Sequence, residues 1–284
     1  MHNSPTPRQH FSSQSVHWFT TGKGVQRWRK WFTVSLSSLT LSVVLHGAEV
    51  ASAQGVTQEP PTALVEAIAQ LDAAANQQDV SAVLTLYSPE FASADGLTYE
   101  DLDENLEALW MRFPNATYDT VINRWEAQDG GWLVETTTTI TGTQSMDGRV
   151  FDLTATITSQ QRLEGGQVVS QEILSEESRL TSGTNPPNVT VNLPEVVRPG
   201  ERFSFDAIVE EPLGQRYLLG GAMEEPARPN AYLSPVPPNL ELLNAGGLFK
   251  IGTAPTLPED RWISAVLVRE DGITIVTRRL RVEN

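Results

Sequence analysis

A chain of 284 residues with 35 acidic against 20 basic side chains has the length of about two domains and the balance of an acidic protein. Its formal net charge of −15 repels phosphate backbones and anionic membranes, which argues against nucleic-acid binding. The sequence has no cysteine, so disulfides, thiolate nucleophiles and iron–sulfur clusters are excluded.

Trp31 to Leu45 is an apolar run of 15 residues, shorter than the about 20 needed to span a bilayer but suited to the core of a signal peptide. Arg27, Arg29 and Lys30 precede it, and Ala51-Ser52-Ala53 follows as a small-x-small cleavage pattern. The expectation is that residues 1–53 are removed and the protein is exported, to the periplasm or the extracellular space. Residues 54–62 then form a flexible lead-in.

Cleavage at that point changes the available chemistry. All four histidines (His2, His10, His17, His46) leave with the leader, as do Lys23 and Lys30. The remaining 231 residues keep Lys250 and 14 arginines against 34 acids, a balance of −19. With neither imidazole nor thiol, Ser-His-Asp and Cys-His systems cannot be built. Zinc and copper sites are excluded for the same reason, and no EF-hand loop pattern is present. The expectation is no metal, no cofactor and no membrane contact after cleavage. Any catalysis falls to carboxylates, Tyr or Arg.

From Ala63 the pattern becomes helical, with Leu64, Ile68 and Leu71 on one stripe. Asp79 is an N-cap for a second, short helix that continues through Val80, Val83, Leu84 and Tyr87 and ends at Ser88-Pro89. Thr98 to Asp101 approximates a capping box for a third helix, with Leu102, Leu106, Leu109 and Trp110 on one face and Pro114 as its stop. The period then changes to two. Strands are predicted over Thr117–Ala127, Trp132–Thr143, Val150–Arg162 and Val168–Ser178, with turns at Asp129-Gly130-Gly131, Asp147-Gly148 and Gly165-Gly166. Thr181 to Pro187 has the composition of a linker. Beyond it lie alternating segments at Val189–Leu193 and Phe203–Val209, a short run at Tyr217–Leu219, and a final pair at Trp262–Arg269 and Ile273–Val282. Gly221 to Pro258 is proline-rich and resists assignment.

The order of elements from Thr62 to Ser178, together with the segment Asn76-Gln77-Gln78-Asp79-Val80-Ser81-Ala82-Val83-Leu84-Thr85-Leu86-Tyr87-Ser88-Pro89-Glu90-Phe91, resembles the NTF2-like (SnoaL-like) superfamily. The later half is similar to the immunoglobulin-like sandwiches found as accessory modules in exported bacterial proteins. The expected fold class is therefore α+β: a cone of three helices on a curved antiparallel sheet over 63–180, a linker over 181–187, and an all-β immunoglobulin-like sandwich over 188–284. The resemblance implies a cavity between sheet and helices. Some members use it for isomerisation or hydrolysis through a buried Asp, and others use it only for binding or assembly.

On the strands, Asp152, Glu135 and Asp119 are the candidate catalytic carboxylates, with Asp152 first, provided the threonine-rich faces point into the cavity. The competing reading places those faces in solvent. Trp110, Trp125, Trp132 and Tyr118 are candidates for a ligand wall, or else core aromatics. The acids Glu100, Asp101, Asp103 and Glu104 read as a solvated helix face. Taken together, the sequence suggests an exported, non-enzymatic protein that uses the cavity or sheet face for a small apolar ligand or a protein partner, with a homodimer through the open sheet as a further candidate. The alternative is a carboxylate-based isomerase or hydrolase of the SnoaL-like type.

Overall fold

In the computed structural model, residues 59–146, 148–228, 238–244 and 246–284 are described; the leader and its cleavage pattern lie outside them. Helix α1 spans Thr62–Asn76 and α2 spans Val80–Thr85, where the Asp79 side chain accepts from the Ala82 N–H at 2.9 Å. Strand β1 (Tyr87–Ser93) and helix α3 (Tyr99–Arg112) follow. Next come the four long strands β2 (Thr117–Gln128), β3 (Gly131–Met146), β4 (Arg149–Glu164) and β5 (Gln167–Gly183). The remainder is strand: β6 (Val189–Asn192), β7 (Val196–Val197), β8 (Arg202–Val209), β9 (Leu219–Pro226), β10 (Glu241–Leu242), β11 (Gly247–Thr253), β12 (Arg261–Arg269) and β13 (Gly272–Val282).

The expected α+β cone followed by a separate immunoglobulin-like sandwich is corrected by this topology. The described residues are mostly strand, with three helices, and strands from both halves of the chain share one ten-stranded sheet. Its order is β10-β9-β12-β13-β5-β4-β3-β2, with β1 pairing parallel to β5 and β7 pairing parallel to β13. A second, three-stranded sheet runs β11-β8-β6. The join is β5, whose outer half pairs antiparallel with β4 on one side and β13 on the other. Thr181, Ser182 and Gly183, at the start of the linker-like stretch, are the end of that strand and pair with Thr274, Ile273 and Gly272.

The two halves cover opposite faces of the shared sheet. Residues directly across a strand pair lie on the same face. Leu153 and Leu180 are such a pair, and both pack with Trp110, Phe113 and Val83 beneath the helices. A neighbouring cluster under the same helices holds Leu64, Ile68, Phe91, Leu102, Val134, Leu163 and Val168. On the other face of β5, Arg179 lies across from Val276. Val276 belongs to a core formed with Phe203, Phe205, Val209, Leu248, Ile263 and Leu267, where the three-stranded sheet packs. Each fully buried Leu or Phe in these clusters contributes about 1.5–3 kcal/mol of transfer free energy.

That alternation decides where the threonines go. On β3, Val134, Thr136 and Ile140 face the helices, so Thr137, Thr139, Thr141 and Thr143 occupy the opposite face. Thr137 bonds across to Thr158, and Thr117 to Thr141, as a hydroxyl ladder. A register shift between Ile122 and Arg124 on β2 turns Trp125 inward and Arg124 outward, where it meets Glu135 at 3.3 Å.

Candidate functional site

Helix α3 and the first half of β5 border a cavity of about 290 Å³, with Leu97, Leu102, Leu106, Leu109, Ile173 and Arg112 among its lining residues. This volume is near the lower end of small-molecule sites. The sequence places α3 firmly. The Asp101 carboxylate accepts from both the backbone N–H and the hydroxyl of Thr98 at 2.8 Å, closing the first turn. The backbone and side-chain bonds from Thr98 hold the Asp101 carboxyl below its ordinary range. Leu102, Leu106 and Leu109 then fall at i, i+4 and i+7 and form the apolar wall.

Polar groups interrupt the wall at defined points. The Asn105 amide nitrogen donates to the Asp101 carbonyl at 2.7 Å. That oxygen can only accept, so the orientation of the amide is fixed, and Asn105 Oδ1 is left buried without a donor. On the sheet side, Gln171 lines the cavity and lies across the β4–β5 pair from Gln161, whose Oε1 also lacks a donor. Arg112, at the last turn of α3, donates from Nε to Gln144 Oε1 at 2.7 Å, and its guanidinium stands 5.5 Å above the Phe113 ring. Arg112 is exposed overall, yet desolvation against these groups lowers its pKa.

Asp95, in the turn before α3, is the carboxylate among the cavity residues. Both of its oxygens accept from Arg279 at 2.8 Å. Arg279 also reaches Glu176 at 3.2 Å and Asp260 at 3.0 Å, and the Trp262 indole N–H donates to Glu176 at 2.8 Å. The cavity therefore borders a cluster that ties α3's leading turn to β5, β12 and β13.

The carboxylates singled out by sequence lie elsewhere. Asp152 and Asp119 are exposed on the threonine face, paired in register with Thr181 and Thr139. Glu135, on that same face, is bonded to Arg124. They are not brought together under the helices. Trp110 is buried and donates its indole N–H to the Tyr118 hydroxyl at 2.9 Å; burial raises the Tyr118 pKa, partly opposed by that bond. Trp125 and Trp132 pack against the cluster around Val134. None of these four aromatics lines the cavity below α3. Tyr118→Phe is expected to destabilise the fold by about 1–3 kcal/mol, because it strands a buried indole donor; urea unfolding followed by Trp fluorescence measures it.

Asn105, Arg112, Gln171 and Ile173 escape the sequence reading. Asn105, Leu109 and Arg112 stand at i, i+4 and i+7, so the first and last share the edge of the apolar stripe. That spacing is the available signal, and it is shared by many surface residues. Among the described residues no cluster of Asp and Glu is placed to hold a metal ion, and no helix is long and apolar enough to cross a membrane.

A family described as a domain of unknown function (DUF8623) matches residues 184–283. No curated protein matches the chain. Parts of the chain are similar in fold to solved structures. A loop-truncation variant of IdmH is 20% identical over 38% of this chain and 89% of its own, with a TM-score of 0.30. A hypothetical protein with a ketosteroid isomerase-like fold from Catenulispora acidiphila, in complex with trimethylamine, is 14% identical over 38% of this chain and 83% of its own, at 0.27. An LEH-like epoxide hydrolase of M. tuberculosis is 12% identical over 39% and 81%, at 0.28.

Proposed function

We propose that this protein is exported and binds a small, largely apolar molecule in the cavity between α3 and β5, without transforming it. The leader pattern over 27–53 is the support for export. The observation that carries the binding reading is the open cavity of about 290 Å³ itself, walled by Leu97, Leu102, Leu106, Leu109 and Ile173.

The non-catalytic part of the reading rests on Asp95. It is the carboxylate at the cavity, and Arg279 occupies both of its oxygens. A general base needs a lone pair aimed at the proton that it removes, and the paired bonds turn Asp95 toward Arg279 instead.

The test uses Nile red, a neutral apolar probe, with the purified protein. Wild type is expected to give a saturable fluorescence increase, and Leu106→Trp, which fills the groove, is expected to abolish it while circular dichroism stays unchanged. Equal probe binding by the two proteins would sink this reading.

A further inference from the structure

Resting on that binding reading, we infer that the cavity selects a ligand with one anionic head, a carboxylate bound by Arg112, and an apolar body lying along Leu109, Leu106 and Leu102.

Arg112 is unlike most arginines of this chain. Arg124, Arg162, Arg179, Arg216, Arg228, Arg261, Arg269, Arg278, Arg279 and Arg281 each have a carboxylate within ion-pair distance. Arg112 has none among the described residues, although it sits in a chain with a large surplus of acids. Its Nε is spent on Gln144, which is itself buried, and its plane is held over Phe113. The side chain is thus fixed in position while the terminal nitrogens keep their donors, the fork that receives a carboxylate with two parallel bonds.

The dimensions fit an elongated amphiphile. Leu102 and Arg112 are ten residues apart on α3, about 15 Å along the axis at 1.5 Å per residue. The apolar wall begins at one end of that line and the cation ends it. Cations near a helix C-terminus are also favoured by the dipole, so Arg112 keeps its charge there without a protein anion.

Isothermal titration of the full chain with sodium decanoate, decanol and decyltrimethylammonium tests this. Wild type is expected to bind decanoate at least about tenfold more tightly than decanol, the usual advantage of a charge-assisted bond, and to bind the ammonium most weakly. Arg112→Gln is expected to erase the decanoate advantage while lowering decanol binding far less than decanoate binding, and Arg112→Lys to restore part of that advantage. If decanoate and decanol bind equally and Arg112→Gln changes neither, the anionic-head assignment is wrong and the apolar cavity survives. If no decyl compound binds, both the assignment and the binding reading fall.

Discussion

Replacing Arg279 with leucine is expected to remove about 3–5 kcal/mol of stability, the range for breaking a buried ion pair from one side. The side chain is 1% exposed, and the acids around it, Asp95, Glu176 and Asp260, are 10%, 17% and 22% exposed. Without the guanidinium, three carboxylates crowd a site from which water is largely excluded. The loss is structural as well as electrostatic, because Asp95 precedes α3 while Arg279 and Asp260 belong to the C-terminal part of the chain. Urea denaturation followed by tryptophan fluorescence, to which Trp262 beside Glu176 contributes, reads the change. Adding Asp95→Asn to Arg279→Leu is expected to recover part of it, since one repelling charge goes. A double variant as unstable as the sum of the singles would show that the cluster acts through packing alone.

Gly183→Ala is expected to cost about 2–5 kcal/mol, combining backbone strain with crowding at a closed strand pair. Gly183 ends β5 at φ +103°, and a Cβ there would stand 2.5 Å from the Asp271 carbonyl oxygen and 2.7 Å from the Gly272 Cα. Neither neighbour is a side chain that can swing away, so the β5–β13 join itself must shift. Gly148→Ala is the control. It also has a positive φ, of 73°, but nothing lies within 4 Å of its Cβ position, so about 1–2 kcal/mol is expected from conformation alone. Thermal unfolding of the two variants side by side separates the contribution of contact from that of strain. Equal losses would remove the contact argument.

Local structure was legible where a local cause exists. Asp79 caps α2, Thr98 and Asp101 close the first turn of α3, and the glycine turns at 130, 148 and 165 separate the four long strands as their positions suggested. Strand β1 was missed because Tyr87-Ser88-Pro89-Glu90 looks like a helix end with a proline stop, while its partner Val168 lies some 80 residues on. The larger error was architectural. Thr181-Ser182-Gly183 has linker composition, yet these residues form a central strand because β13, far away in sequence, supplies the register. No local pattern encodes that pairing, so the sequence alone suggests two separate folds where the structure has one continuous sheet. The threonine faces showed the same limit: period two says that they lie on one side, but only the position of α1 to α3 says which side is covered.

The join at β5 also has a consequence for the order of assembly. The strand that fills the middle of the wide sheet, β13, comes after all the strands beside which it lies. Until it arrives, β5 and β12 each present a bare row of backbone donors and acceptors to the surroundings, which is the condition that invites pairing with another chain. Arg278 and Arg279 on the incoming strand and Glu176 and Glu177 on the waiting one carry opposite charge at the meeting point. The polypeptide therefore brings its own means of recognising the correct edge when the gap is finally closed.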